Sequence, residues 1–354
     1  MLNSMNDLSG LVQEIVDIES VSGNETELAN QVEQSLSQFS HLGVVRIGNT
    51  VVASTNFSQP SRVIIAGHLD TVPVADNLPS YVDSVDGRDV LYGRGTCDMK
   101  GGVAVQLFLA AHLTEALRDV TWIFYDCEEV EASRNGLGRL LAVRPDLLTG
   151  DMAILMEPTD ARIEAGCQGT LRIKIHCQGV AAHSARSWMG HNAIHEMAGA
   201  LNILSSYTPV EVVIDSLTYR EGLNAVSIDG GIAGNVIPDQ CWCDVNYRYA
   251  PDKTETEALD ILGSLFAGYQ WEVTDSAPGA LPGLDSDIVS SFVAQVGNPY
   301  PKYGWTDVAR FAQLGIPSIN YGPGDPNYAH TDEERVDLTK VEQCRNTLMT
   351  WLTS

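Results

Sequence analysis

Residues 120–130 read VTWIFYDCEEV, six apolar or β-favouring residues closed by an aspartate, a cysteine and two adjacent glutamates. An apolar run without polar alternation is the pattern of a strand buried on both faces. The same grammar recurs on either side. RVIIAG (62–67) ends at His68 and MAILM (152–156) ends at Glu157, while GGVAVQLFLAAHL (101–113) between them reads as a helix. Continuous apolar strands separated by helices predict an α/β domain with a mainly parallel sheet. The carboxyl ends of parallel strands open on one crevice, so His68, Glu128, Glu129 and Glu157 are expected to meet there. His330, just past IPSINYG (316–322), is expected to join them.

The flanking sequence changes character twice. NDLSGLVQEIVDI (6–18) has helical spacing, and Asn24 with Glu27 reads as a capping box opening a second helix. From LRIKIHCQG (171–179) to YQWEVTD (269–275) the order is strand, helix, two strands, helix, strand, which predicts a ferredoxin-like βαββαβ unit. The Pro/Gly-rich APGALPGL (277–284) reads as the return linker. The expected division is therefore residues 1–166 with 281–354 as one domain and 167–280 as an inserted one. A length of 354 residues agrees with two cores, because single cores stop growing near roughly 250–300 residues.

Acidic residues outnumber basic ones 46 to 21, for a formal charge of -25. Such a surface repels phosphate backbones and anionic membranes, so neither nucleic acid nor membrane is an expected partner. Seven scattered cysteines do not form a secreted disulfide framework, and no apolar run approaches the ~20 residues that span a bilayer. A cytoplasmic location is the expectation. Cys241 and Cys243, two apart on one strand, are expected to be buried structural thiols.

Asp98 lies in YGRGTCDMKGG (92–102), where glycines let the backbone bend tightly before a helix. Several carboxylates gathered without a cation would repel one another, so a bound metal is the simpler account of the strand-end cluster. Imidazole and carboxylate donors without thiolate suit zinc, manganese or cobalt. A pair of such ions roughly 3.5–4 Å apart needs a bridging carboxylate, which Asp98 would supply. Asp70, two residues after His68, is placed to accept that ring's other N–H.

The pieces GHLDTVP, YGRGTCDMKGG, DCEEV, MEPT and YAHTDEE, in that order, with GVAAHSAR between the last two, give the chain a resemblance to the M20 family of metallopeptidases over nearly its whole length. Within that family it is similar to the desuccinylases of N-succinyl-diaminopimelate. AGCQGTLRI, AHSARSW and TYREGLN look like the actinobacterial branch.

The resemblance implies a zinc-peptidase-like catalytic domain and an inserted domain that makes a homodimer. It implies His68 and Glu157 on one metal, Glu129 and His330 on the other, Asp98 bridging, Glu128 as general base and Asp70 orienting His68. It further implies that His183 steadies the oxyanion from across a subunit interface and that Arg248 holds a substrate carboxylate. Arg186 is added as a substrate contact by its proximity to His183, and Asn235 for the amides of its turn in GNVIPD (234–239). The expected reaction is hydrolysis of N-succinyl-LL-2,6-diaminopimelate to succinate and LL-2,6-diaminopimelate in lysine biosynthesis. Deacylation of another anionic N-acyl amino acid, such as acetylornithine, and dipeptide cleavage share the same metal motifs. A phosphate-cradling role for GRGTCDMKGG is disfavoured by the missing Gly-Lys-Ser/Thr.

Overall fold

The strand Arg62–His68 pairs in parallel with Asp119–Tyr125 on one side and Met152–Leu155 on the other. Its side chains explain why it sits centrally: Val63, Ile64, Ile65 and Ala66 are fully buried, as are Val120, Trp122, Ile123 and Phe124 on its neighbour. Ser318–Asn320 continues the sheet in parallel beside Met152–Leu155. Antiparallel strands flank this parallel centre, with Gly43–Ile47 and Thr50–Ser54 at one end and Glu164–Ala165 towards the other.

The computed structural model describes residues 1–354, which form two units. One comprises Met1–Ala165, Gly283–Tyr300 and Arg310–Ser354; the other comprises Gly166–Pro282 and Pro301–Ala309. Placing 301–309 with the second unit is a feature that the linker composition does not announce.

In the first unit the register levels the strand ends. His68 lies opposite Tyr125, Ala66 opposite Leu155, and Asn320 opposite Leu155. The residues that follow each strand therefore emerge at one edge. A three-stranded sheet of Tyr81–Val85, Arg88–Tyr92 and Arg335–Asp337, which no apolar pattern signalled, brings the segment after His330 beside the glycine-rich turn.

The second unit is a four-stranded antiparallel sheet in the spatial order Gly222–Gly230, Gln240–Tyr249, Gly169–Gln178, Gln270–Ala277. This is the ferredoxin-like arrangement, with helices Ala193–Ser206 and Glu255–Leu265 supplying Met197 and Leu262, and Phe266 just past the second helix, to a core with Leu171, Ile173, Ile175, Val245 and Tyr247. Cys241 and Cys243 are buried on the same face of their strand, and all seven cysteines are free thiols. An additional hairpin, Glu211–Ile214 with Leu217–Arg220, follows the first helix of this unit. No helix of the protein is long and apolar enough to cross a membrane.

The second N-terminal helix, Thr26–Leu36, is not opened by the expected capping box. Its N-cap is Glu25, with no side-chain cap hydrogen bond. That carboxylate is turned elsewhere, to the amides of Gly23 and Cys127.

Candidate metal centre

Asp98 lies at the middle of the cluster, in the irregular helical turn Thr96–Lys100. One of its oxygens, Oδ1, is 3.2 Å from His68 Nε2, and the other, Oδ2, is 3.3 Å from His330 Nε2. One carboxylate thus faces two imidazoles. Ligand atoms of His68, Asp98 and Glu157 fall within 4.8 Å of one another, as do those of Asp98, Glu129 and His330. The two triads share Asp98 only. Its side chain is held there by backbone: Gly95 has φ +82°, and a Cβ at that residue would lie 2.7 Å from Thr71 Cγ2.

Each histidine presents a defined nitrogen. His68 is buried, and its Nδ1 lies 2.9 Å from the Asp70 carbonyl oxygen. A carbonyl only accepts, so Nδ1 donates to it, and Nε2 faces Asp98, donating while the ring is protonated and offering its lone pair to a cation once that proton is lost. The Asp70 carboxylate is farther from that nitrogen, at 3.5 Å. Its oxygens are taken up by the amides of Glu128 and Glu129, each at 3.0 Å, and by the Ser22 hydroxyl at 2.7 Å. Asp70 therefore fixes the glutamate pair through its side chain and His68 chiefly through its main chain.

The electrostatics follow from this crowding. Burial works against a charged His68 ring, yet hydrogen bonds to Asp70 and Asp98 prevail and hold its pKa well above the usual imidazole range. Hydrogen bonds to Asp98 and Glu129 push His330 up to about 10. Burial opposes ionisation of Asp98, but the two imidazoles hold its carboxyl far below the ordinary value. A cluster that draws protons onto two imidazoles draws a divalent cation by the same field. The donor set of two imidazole nitrogens and carboxylate oxygens, in two triads with a common carboxylate, fits a pair of borderline metal ions such as zinc.

Glu128 and Glu129 leave the end of Asp119–Tyr125 through a sharp turn in which Cys127 has φ +57°. One residue step then separates their directions: Glu129 Oε1 lies 2.8 Å from His330 Nε2, whereas Glu128 joins a group with His68 and Glu129. A fourth group, Glu25 with Asp126 and Cys127, is buried beneath this turn. There the thiol donates to Glu25, and burial raises its pKa to about 11, so it offers no thiolate.

Two supports were not legible from residue type. Glu334 is buried and accepts from the amides of Cys97 and Asp98, at 3.1 and 3.0 Å, while Arg94 donates to its other oxygen at 2.8 Å. It lies in the acidic run DEE, which reads as a solvated face. Ser22 and Glu25 belong to the turn SGNE, which carries no acid–base pattern.

The remaining candidates lie in the second unit. His183 is exposed, and its Nδ1 accepts from the Ala185 amide at 3.1 Å. Asn235 lies beside it, its main-chain carbonyl accepting from the Ser184 amide at 2.9 Å. Arg186 is exposed in the following turn. Arg248 is half-buried on the sheet, donating to Asn246 Oδ1 at 3.2 Å. His41, His112, His176 and His191 are engaged in local contacts away from the triads.

A sequence profile described as Peptidase family M20/M25/M40 matches residues 64–354. A succinyl-diaminopimelate desuccinylase of Corynebacterium glutamicum is 46% identical over 352 residues, covering 96% of this chain and 94% of its own. A Mycobacterium tuberculosis protein that carries the same name provisionally is 49% identical over 356 residues, or 99% of each chain. Among solved structures, a Bacillus subtilis protein described as a dinuclear metal binding peptidase superposes with a TM-score of 0.70 at 17% identity, covering 98% of this chain and 97% of its own.

Proposed function

Since the chain belongs to peptidase family M20/M25/M40, a family of metal-dependent hydrolases, we propose that it hydrolyses N-succinyl-LL-2,6-diaminopimelate to succinate and LL-2,6-diaminopimelate, a step of lysine and diaminopimelate biosynthesis. The observation that carries the mechanism is the single Asp98 carboxylate facing His68 Nε2 with one oxygen and His330 Nε2 with the other.

His68, Asp98 and Glu157 would hold one divalent ion; Asp98, Glu129 and His330 would hold the second, zinc being the best fit and cobalt or manganese alternatives. Such ions, when bound, polarise the acyl carbonyl and acidify water. Glu128 acts as the general base and afterwards returns the proton to the departing amine. Its backbone is fixed by Asp70, so its carboxylate is presented beside Glu129 without a search over loop conformations. His183 donates to the developing oxyanion, and Arg248 and Arg186 grip substrate carboxylates with Asn235 alongside. The half-burial of Arg248, with an amide oxygen as its hydrogen-bond partner, supports that reading because its cationic charge is left for an anion.

The second unit serves as the dimerisation domain. Val226 and Ile228 on its edge strand are exposed apolar side chains, as a paired edge requires. A cytoplasmic homodimer acting on a small anionic substrate completes the reading.

The test is turnover of N-succinyl-diaminopimelate and N-acetylornithine by zinc-loaded protein and its Glu128→Gln variant. The wild type should prefer the succinyl substrate, and the variant should keep its metals while losing at least about a hundredfold in kcat, as expected for a lost general base. Near-normal kcat in the variant would remove Glu128 from its role. Hydrolysis confined to acetylornithine would reassign the substrate.

A further inference from the structure

Three consecutive amides of the turn that carries the glutamate pair end on two buried carboxylates. Those of Glu128 and Glu129 reach Asp70, as described, and that of Cys127 reaches Glu25 Oε1 at 3.3 Å. Glu25 is fully buried. The same oxygen accepts from the Gly23 amide at 2.6 Å and from the Cys127 thiol at 3.4 Å, while Asn49 Nδ2 approaches Oε2 at 3.4 Å.

Cys127 is the residue that makes the turn sharp. At φ +57° it is in the left-handed region, which an L residue with a side chain such as cysteine seldom occupies without external support. A left-handed residue points successive N–H groups the same way, forming a concavity that binds an anion. Here the amides of Glu128 and Glu129 close on Asp70, while Glu25, from the N-terminal turn Ser22–Glu25, takes the amide of the left-handed residue itself. Ser22 contributes a second tie, through Asp70.

We infer that Glu25 is a positioning residue for hydrolysis: by accepting from the Cys127 backbone and thiol it holds Cys127 left-handed, and so sets the directions in which Glu128 and Glu129 leave the strand. This rests on the proposed roles of that pair. It also accounts for why Glu25 does not cap its own helix, since its carboxylate is committed across the fold.

The test exploits glycine, which adopts positive φ freely and so needs no anchor. Glu25→Gln keeps the side-chain volume but replaces a charged acceptor with a weaker neutral one. Supports of this kind typically cost 10–100-fold in metal affinity or activity when removed, so E25Q should lower kcat by about tenfold or more with KM changed less than about twofold. Titration of the metal-free protein with cobalt, followed by its visible absorption, should show one of two ions bound about tenfold more weakly. Adding C127G to E25Q should return both readouts to within about threefold of wild type, because the left-handed turn is then unstrained.

An E25Q protein matching wild type in both readouts overturns the inference. So does a double variant that folds, by its circular dichroism melt, yet binds cobalt as weakly as E25Q. If E25Q alone does not fold, the double variant is compared directly with wild type, and its failure to fold or to bind two ions also overturns it. The cobalt titration needs no substrate, so a protein that hydrolyses none of the acyl amino acids tested still decides the role of Glu25 while the functional reading fails separately.

Discussion

His330 is half open to solvent, yet its ring lies between Asp98 and Glu129 and its pKa is raised to about 10. At neutral pH the metal-free ring is therefore protonated, and a cation must displace that proton to use Nε2. Lowering the pH strengthens the competitor, so affinity should rise with pH between 6 and 8, by up to about tenfold per unit for one exchanged proton. Calorimetric zinc titrations in buffers of different ionisation enthalpy should show net proton release. A pH-independent affinity without proton release would contradict the assignment of this nitrogen as a ligand. His68 is raised likewise, so its Nε2 must also give up a proton to a cation, while its Nδ1 stays committed to the Asp70 carbonyl.

At the scale of elements, the helix Gly101–His112 begins where the glycine-rich turn ends and packs with almost no gap on the strand end carrying Glu157. A Cβ on Gly102 would lie 2.4 Å from the Met156 carbonyl oxygen. Gly102→Ala should therefore lower the unfolding free energy of the metal-free protein by about 1–3 kcal/mol, as overpacking does. It should also weaken the ion held through Glu157. Urea denaturation and metal titration check the two effects; an unchanged midpoint would show that the helix can shift freely.

The strands at this scale were readable because burial on both faces leaves an unbroken apolar signature, as in RVIIAG and VTWIFY. Strand ends then located His68, Glu128, Glu129 and Glu157 by topology alone, and His330 by its nearness to a further strand. What could not be read were contacts made by backbone amides. Glu25, Asp70 and Glu334 act on N–H groups, and any residue has one of those. The sheet containing Arg335–Asp337 was hidden for a related reason: Tyr81–Val85 is exposed throughout, so no hydrophobic period marks it. The expected capping box of Asn24 with Glu27 failed because the helix opens at Thr26, one residue later, with Glu25 rather than Asn24 at its N-cap and with that carboxylate committed to other amides.

For the whole molecule, a formal charge of -25 is a standing self-repulsion that the folded state concentrates and salt screens. The melting temperature should climb as sodium chloride is raised from low to moderate concentration, measured on the chelator-treated protein so that metal loading stays constant. A flat or falling curve would mean that local ion pairs outweigh the net charge. Metals add a second, independent term, because ligands that bind the folded state stabilise it by mass action, about 2.7 kcal/mol for one site at a hundredfold excess over Kd. Stripping them should lower the melting temperature by several degrees, and restoring zinc should recover it.

The connectivity of the large sheet has an implication for biosynthesis. Ser318–Asn320 inserts between Met152–Leu155 and Glu164–Ala165, and His330 follows it. A nascent chain emerging from the ribosome has all its other candidate ligands long before this strand, but the slot between the two neighbours stays open until the last tenth or so of the polypeptide appears. Translation order thus delays completion of the second triad until the sheet itself is sealed.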